Sequence, residues 1–548
     1  MIQSIKILII VTPLILAGFI AARGAFASVV DPNRMIRWAM AMIAMTVAAF
    51  MIHDYWAALF VITFIAIALG ASEPLKPIIF LIVAFAIAPG DKPIPGIGGI
   101  NNLFLLSSML SVCILLLTPY LFSAKKGSRV AKVAGGADFA VIAFCVLTAV
   151  LSFRDTTFTH GLRIIVSSVL LTVSVYWAFS RSVRSVSDLQ AAATAYVAIL
   201  VALSLVALAE FALQWHFYTE MARNWGIDTP FAYTGRGGFQ RSFASTIAPI
   251  GFGICLNVAI VLAIALMRGA SNRSMAWLVV LGLVAALIAT LSRTPWLATC
   301  VSVVIFFATG SKAAARLMQL GMVSVFGLVI LLATPIGGTL LGLIPGLDAG
   351  ASSTFGYRMR LLEVSVDVIS QSWLFGYADP SAHPDMQVLV QGQGIVDLVN
   401  TYVDIALSYG LVGASLFVMA NVAALRAAWT AMRQAAALDL PVADLCRGFF
   451  AAHLAFLIGI AGTSWRTGVT EELAWVMLAL TVAAARVTQR ARQEASTAAT
   501  QSEPAIAPTQ AAAPTVHAPS PSPSLPDRAA VPAHLRQYVP QPPREADG

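Results

Sequence analysis

Apolar runs of helix length recur along almost the whole chain, and they constrain its fold more than any other feature. A bilayer core is crossed by about 20 apolar residues of helix. The composition agrees, because 59% of the residues are hydrophobic and only 11% are charged, whereas a soluble domain carries roughly 25% charged residues. The sequence therefore predicts an all-α polytopic membrane protein with about 13–15 transmembrane helices.

The basic residues stand in short clusters between these runs. The net charge of +8 thus follows the positive-inside pattern of membrane proteins, and nucleic acid is excluded as a partner. Counting spans between the clusters places them in the cytoplasm and leaves loops 214–243 and 336–398 on the other side. The clusters occupy 124–132, 181–184, 268–273, 311–316 and 426–447. The cysteines show no metal-ligand spacing, so the sequence indicates neither a metal nor a cofactor.

The two ends of the chain differ from its middle. We expect the N-terminal apolar run to be an uncleaved first span, because more apolar helices follow at once; removal as a signal peptide after Ala25–Ala27 is the alternative. The segment 491–548 holds 11 of the 27 prolines and cannot bury enough apolar surface to offset its chain entropy. The sequence therefore predicts a transmembrane domain over 1–490 and a disordered cytoplasmic tail over 491–548.

The loop 336–398 is long enough to suggest a function of its own, since loops beyond about 12–15 residues are usually functional or disordered. Met359, Leu362, Val366 and Ile369 follow one another at helical spacing. This pattern predicts an amphipathic helix that lies on the membrane face with those four side chains buried.

Four arginines lie at or near the non-cytoplasmic face, namely Arg236, Arg241, Arg293 and Arg358. Arginine is unfavourable at a hydrocarbon boundary, and its planar guanidinium suits bidentate binding of phosphate. The pattern favours a site for an anionic headgroup such as a lipid-linked pyrophosphate. For any single arginine, the alternative is that its side chain snorkels towards bulk lipid phosphate.

The loop 214–243 is also rich in aromatic residues, which indicates an interfacial aromatic belt or, alternatively, a platform on which sugars stack. The residues are Trp215, Phe217, Tyr218, Trp225, Phe231, Tyr233 and Phe239.

Two carboxylates, Asp397 and Asp404, precede or open a span in the stretch DLVNTYVDIALSYGLVG (397–413). Seven residues apart, they share one helix face if the helix has begun by then. A structural pair with an arginine is the alternative for Asp404. Further candidate bases on this side are His160, His216, His383, Glu363, Asp367, Asp379 and Asp385.

Four motifs in a fixed order carry a family resemblance. They are R-S-F (241–243), L-S-R-x-x-W (291–296), R-x-x-L-L…G-Y (358–377) and V-N-T-Y-x-x-x-A-L-x-Y-G-L-V-G (399–413). Because these motifs occur in this order and on the same side of the membrane, the chain resembles the O-antigen ligase and Wzy-type polysaccharide polymerase superfamily of bacterial inner membranes. The resemblance covers residues 90–480.

The resemblance implies transfer of a saccharide from an undecaprenyl-pyrophosphate-linked oligosaccharide at the periplasmic face, with inversion and without a metal or cofactor. It further implies the lipid bilayer, chain-length regulators and export proteins as partners. The acceptor would be another lipid-linked repeat unit in a polymerase, or lipid A core or protein in a ligase.

One position departs from the ligase pattern. Ligases of the family tend to carry His-Asn-x-Tyr where this chain has Val399 followed by Asn400, Thr401 and Tyr402. A polymerase is therefore the favoured reading, with Asp397 in the polar role, while an imidazole from His383 keeps the ligase as the alternative.

The remaining roles follow from the resemblance together with the positions of the residues. Arg241 and Arg293, with Arg236, would bind pyrophosphate, and Arg358 would position donor or acceptor. Asn400 and Tyr402 would form the acceptor site.

A transporter or flippase is the competing class. It would require inverted repeats, broken helices and charges near mid-membrane. We expect uninterrupted spans with polar groups outside them, and so an enzyme.

Overall fold

The chain is almost entirely helical, which confirms the all-α prediction. The structure, a computed structural model, describes residues 1–96, 102–122, 134–227, 235–236, 238–310, 312–332, 349–390, 394–438, 440–465 and 469–502. Within them, eight helical segments are long and apolar enough to cross a membrane, and five shorter apolar helices accompany them. The chain is a multi-pass membrane protein.

The first half of the chain contains helices α1 to α9. Their bounds are Ile2–Phe26, Pro32–Met51, Tyr55–Ser72, Pro77–Ala86, Ser108–Val112, Pro119–Phe122, Gly135–Leu151, Phe158–Ile164 and Leu170–Ser182, with π-helical turns at Cys113–Leu117 and Ile165–Val169.

The second half contains helices α10 to α19. Their bounds are Val186–Leu213, Tyr218–Asn224, Pro249–Leu266, Arg273–Ala289, Arg293–Ala308, Ala313–Leu332, Ala349–Gln371, Thr401–Ala436, Val442–Ile460 and Thr470–Ser502. Short 3-10 turns lie at Ala244–Thr246, Met267–Gly269, Pro380–Ala382 and Pro384–Leu389.

Helix α10 is the central helix of the bundle. It begins at a capping box of Ser185 and Asp188, which satisfies backbone donors that a helix start leaves open. Small residues then let neighbouring helices approach its backbone closely. At Gly18 of α1, an added Cβ would lie only 2.4 Å from Cα of Ala202 in α10. Helices α1, α4, α12 and α13 all pack against α10.

The apolar run 102–122 predicts one of the expected spans, and this prediction is wrong in its first part. Asn102–Ser107 is a strand, β2, and it pairs antiparallel with β1, Asp91–Pro95. Exposed and half-buried residues alternate along Asn102–Leu106, as they do in a strand with one covered face. The hydroxyl of Ser107 then accepts a hydrogen bond from Leu110 N at 3.1 Å and so starts the helix only at that point.

Helix α16, Ala349–Gln371, confirms that the long loop contains a helix. Leu361, Val364 and Val368 are buried against the segment 386–407. Met359 and Val366, from the predicted stripe, are 43% and 55% exposed, so they belong to a second apolar face that the described protein does not cover. That this second face meets the membrane stays a prediction.

Helix α17 is interrupted at Gly410, so the expectation of uninterrupted spans is wrong here. Gly410 has φ +66° and ψ −172°, a conformation that essentially only glycine adopts. The backbone groups released by the break are bonded by the chain after α16: Leu411 N donates to Trp373 O at 2.8 Å and Tyr377 N to Leu407 O at 2.8 Å. The break is therefore filled by protein, as irregular backbone at membrane depth must be unless it lines a water-filled cavity.

Helix α19 runs to Ser502, so the boundary expected at residue 490 falls inside a helix. Residues 503–548 of the expected tail lie outside the described part of the chain.

Candidate functional site

Two of the predicted arginines bind the same turn. Arg236 Nη1 donates to Leu291 O at 3.1 Å, and Arg241 Nε donates to Thr290 O at 3.1 Å. Arg241 Nη2 also donates to Ser292 Oγ at 2.7 Å. This turn follows the end of α13, where carbonyls lack helical partners and the helix dipole is negative, so it is a favourable place to hold two cations.

Arg293 is the residue directly after this turn and opens helix α14. The structure thus brings Arg236, Arg241 and Arg293 into one group. Ser292, the N-cap residue of α14, makes no side-chain cap; its hydroxyl donates to Thr290 O and accepts from Arg241 instead. The positive end of the α14 dipole therefore lies beside the guanidinium groups of Arg236 and Arg241, an arrangement suited to an anion.

The side chain of Arg241 is half-buried. Burial, and then the neighbouring charge of Arg236, lower the pKa of Arg241 to about 10. The Arg241 guanidinium stays charged at neutral pH, although its burial and the charge of Arg236 both disfavour the charged form. A bound anion would relieve both effects.

Glu210, near the end of α10, positions this arginine group, and the sequence analysis missed it. Glu210 Oε1 accepts a hydrogen bond from Phe217 N at 3.1 Å, and Oε2 accepts one from Ala244 N at 2.9 Å. The carboxylate thereby ties the start of the 214–243 loop to the backbone just beyond its end, close to Arg241. A lone carboxylate inside an apolar run was the available sequence signal.

A second group forms around Arg358 and Asp397. Arg358 Nη2 donates to Gly462 O at 3.2 Å, and Ser464 Oγ donates to Asp397 Oδ1 at 2.8 Å. Burial lowers the pKa of Arg358, and the charge of Asp397 partly opposes that shift. The guanidinium and the carboxylate therefore lie in each other's electrostatic field; the two residues are called the Arg358–Asp397 pair below.

The two groups adjoin through Gly462. A Cβ added at Gly462 would lie 2.6 Å from Thr294 Oγ1, and Thr294 follows Arg293 directly. The carbonyl of the same glycine accepts from Arg358. The arginine group and the Arg358–Asp397 pair are thus neighbours at the end of the bundle where α14 and α17 begin and α18 ends.

Asn400 and Tyr402 have structural partners. Asn400 caps α17, because its Oδ1 accepts from Tyr402 N at 3.0 Å and from Val403 N at 3.4 Å. The hydroxyl of Tyr402 donates to Leu457 O of α18 at 2.7 Å. Between them, Thr401 Oγ1 donates to Thr463 O at 2.9 Å. These contacts hold the start of α17 beside the segment that carries Gly462 and Ser464.

His383 and Asp404 lie in other local contacts. His383 Nδ1 accepts from Asp385 N at 3.3 Å and so caps the turn Pro384–Leu389, with its ring against Tyr377. Asp404 accepts from Ser408 Oγ at 3.3 Å. Neither contact joins these residues to the Arg358–Asp397 pair.

Three of the aromatic side chains in loop 214–243 are buried and so cannot stack on a sugar. Phe217, Tyr218 and Trp225 are at most 2% exposed and pack in the core. Phe239 stacks on Phe211, with 5.5 Å between ring centroids. Phe231 and Tyr233 lie outside the described residues.

Arg154 is a second residue that the sequence analysis passed over. Its guanidinium donates to Gly376 O at 3.1 Å and to Tyr377 O at 2.6 Å, and it also binds the carbonyls of Phe375 and Ser408. It thus clamps the segment after α16 onto α17 near the break. Burial lowers the pKa of Arg154, which is the consequence of placing a cation among carbonyl groups rather than in water.

Residues 277–418 match the O-antigen ligase family (Wzy_C). This match confirms the superfamily resemblance that the motifs indicate. The matched segment runs from α13 into α17 and contains Arg293, Arg358 and Asp397, whereas Arg236 and Arg241 precede it. No curated protein matches the chain.

Proposed function

We propose that this chain, whose residues 277–418 match the O-antigen ligase family, polymerises undecaprenyl-pyrophosphate-linked oligosaccharide repeat units at the periplasmic face of the bacterial inner membrane. The observation that supports this most directly is the junction at Gly462, where a group of three arginines meets an arginine–carboxylate pair.

The arginine group would bind the donor pyrophosphate. When the glycosidic bond to the β-phosphate breaks, the leaving pyrophosphate gains negative charge. Arg241 and Arg293, together with the positive end of α14, would stabilise that charge in the transition state. Fixed cations in a site shielded from water are worth far more than mobile ones, and the bonds from Arg241 to Thr290 and Ser292 fix its position.

Asp397 would act on the acceptor. The acceptor hydroxyl oxygen attacks the anomeric carbon of the donor as the bond to the β-phosphate oxygen breaks, and its proton passes to the Asp397 carboxylate. Undecaprenyl pyrophosphate leaves with the electron pair of the broken bond. Ser464 would orient the carboxylate through its 2.8 Å hydrogen bond, and Arg358 would position the reacting groups beside it.

Polymerase is favoured over ligase by the position that departs from the ligase pattern. Val399 packs against the apolar cluster formed by α16 and the start of α17, so no imidazole stands at this point. Asp397, two residues earlier, holds the polar contacts instead. The Nδ1 of His383 is engaged as a cap acceptor, which makes it a poorer substitute for the missing histidine.

The test is extraction of lipid-linked saccharides from cells that lack the protein and are complemented with variants. With Arg241→Ala or Asp397→Asn we expect single lipid-linked repeat units to accumulate and long polymer to disappear, because each variant should lower turnover on the order of a hundredfold. Arg223→Ala is the matched control: Arg223 lies in the same loop, has a 74% exposed side chain and pairs only locally with Glu220. It should restore long polymer.

Two results would overturn the proposal. If long polymer still forms on the carrier in the null strain but is never joined to its final acceptor, the chain is a ligase. If Arg241→Ala, produced at normal level, restores polymer as well as Arg223→Ala does, the arginine group is not a donor site.

A further inference from the structure

A cavity of about 780 Å³ lies at the opposite end of the bundle from the candidate site. Its walls come from the ends of α12, α14 and α17 and from the beginnings of α13, α15 and α18. Helix α14 runs from Arg293 at the candidate site to this cavity, so the two places are separated by the length of a span. The cavity thus plays no part in the transfer reaction proposed above.

The described lining of this cavity carries five arginines and a single carboxylate, Asp444. The arginines are Arg268, Arg273, Arg316, Arg433 and Arg447. They come from three separate basic clusters of the sequence, 268–273, 311–316 and 426–447. Snorkelling explains isolated cations at the ends of spans, but it does not explain five that line one cavity.

Two of these guanidinium groups converge on one point. A Cβ added at Gly310 would lie 2.8 Å from Arg447 Nη1 and 3.2 Å from Arg316 Nη1. Asp444 neutralises part of the positive charge of the cavity, because it pairs with Arg447 at 2.9 Å and with Arg268 at 3.2 Å. Like charges brought this close repel each other unless an anion lies between them.

Arg447 provides an independent observation. It is only 5% exposed, lies over the ring of Phe306 at 5.5 Å, and its Nε has no hydrogen-bond partner among the described residues. A buried guanidinium donor normally has an acceptor. Its environment therefore has the character of a binding site for an oxyanion.

The other walls are apolar. Trp277, 53% exposed at the start of α13, and Phe307 and Met267 lie beside the arginines. A soluble phosphate needs only the charges, whereas a phospholipid needs both a cationic pocket and an apolar exit for its acyl chains, and basic pockets between helix ends suit such headgroups. We propose that this cavity binds the phosphate headgroup of an anionic membrane phospholipid.

Native mass spectrometry of the detergent-purified full chain tests the proposal. Phosphatidylglycerol should remain bound where phosphatidylcholine does not, and Arg273→Gln and Arg433→Gln should each lower its affinity about fivefold, the effect of roughly one basic residue at an anionic surface. The matched control is Arg426→Gln, which removes an exposed arginine from the same helix as Arg433 but outside the cavity. It should bind as wild type does.

Arg273 is exposed in the first turn of its helix, so Arg273→Gln should fold normally. Arg273→Lys, which keeps the charge, should retain most of the binding. Equal phosphatidylglycerol affinity in wild type and both cavity variants would overturn the proposal. So would displacement of the lipid by inorganic pyrophosphate at low concentration, since the site would then serve a soluble anion.

Discussion

The break in helix α17 gives the sharpest stability prediction, through the substitution Gly410→Ala. Gly410 has φ +66°, and a Cβ added there would lie 2.1 Å from Leu374 O and 2.2 Å from Leu374 C. Real Cβ atoms do not approach backbone this closely. The segment after α16 would therefore have to move away from α17.

The magnitude follows from two contributions. Forcing a non-glycine residue into this conformation costs about 1–3 kcal/mol. Moving the segment also breaks the hydrogen bonds from Leu411 N to Trp373 O and from Val412 N to Leu374 O, each worth about 0.5–1.5 kcal/mol. We expect the free energy of unfolding to fall by about 3–5 kcal/mol.

Thermal unfolding of the detergent-purified chain measures the effect. A chain of this size should lose roughly 3–4 °C in Tm, because the unfolding entropy grows with chain length and 1 kcal/mol then corresponds to a little under 1 °C. Gly282→Ala is the matched control, because Gly282 lies inside α13 and a Cβ there would meet no atom within 4 Å; it should leave Tm unchanged or raise it slightly. If both variants melt at the same temperature, the account of the break is wrong.

The remaining predictions concern three polar side chains. Ser464→Ala removes the donor to Asp397 and should lower transfer about tenfold with little change in Tm, as expected for one hydrogen bond to a charged group; an unchanged rate would show that this hydroxyl does not support the carboxylate. Glu210→Gln leaves Phe217 N or Ala244 N without its acceptor and should lower the free energy of unfolding by about 1–3 kcal/mol. The effect should be seen as a lower Tm and faster proteolysis in loop 214–243. Proteolysis as slow as in the wild type would show that Glu210 does not hold this loop. Burial lowers the pKa of His216 from 6.5 to about 4, so the folded chain holds the imidazole neutral. Between pH 6.5 and pH 4 the unfolded chain binds a proton here that the folded chain does not, and the free energy of unfolding should therefore fall as the pH falls through this range. His216→Phe should flatten that part of the Tm-versus-pH curve, and identical curves for the two chains would count against it.

The helices were predictable because long apolar runs leave few alternatives in a bilayer. The strands Asp91–Pro95 and Asn102–Ser107 were not, because apolar residues in a short pairing strand look the same in sequence as the beginning of a span. The protein-facing side of α16 was not predicted for a related reason: Leu361 and Met359 are both apolar, and only the packing against the segment 386–407 distinguishes them.

The candidate site was partly predictable from residue type. Arginines beside spans are rare enough to attract notice, and Arg236 and Arg241 do converge on the turn before Arg293. Gly462 was not predictable, since it contributes a carbonyl group and an absence of side chain, neither of which has a sequence signature. Asn400 and Tyr402 were recognised from their motif, but a motif does not show that a side chain caps or braces a helix.

The junction at Gly462 has a consequence for how the chain could be divided. The matched family segment ends at residue 418 and begins at residue 277, yet Arg241 enters from before it and Gly462 and Ser464 enter from after it. Grafting the matched segment onto another set of helices would transplant Arg358 and Asp397 without the backbone that holds them. The segment that matches the family is therefore shorter than the set of residues that forms the candidate site.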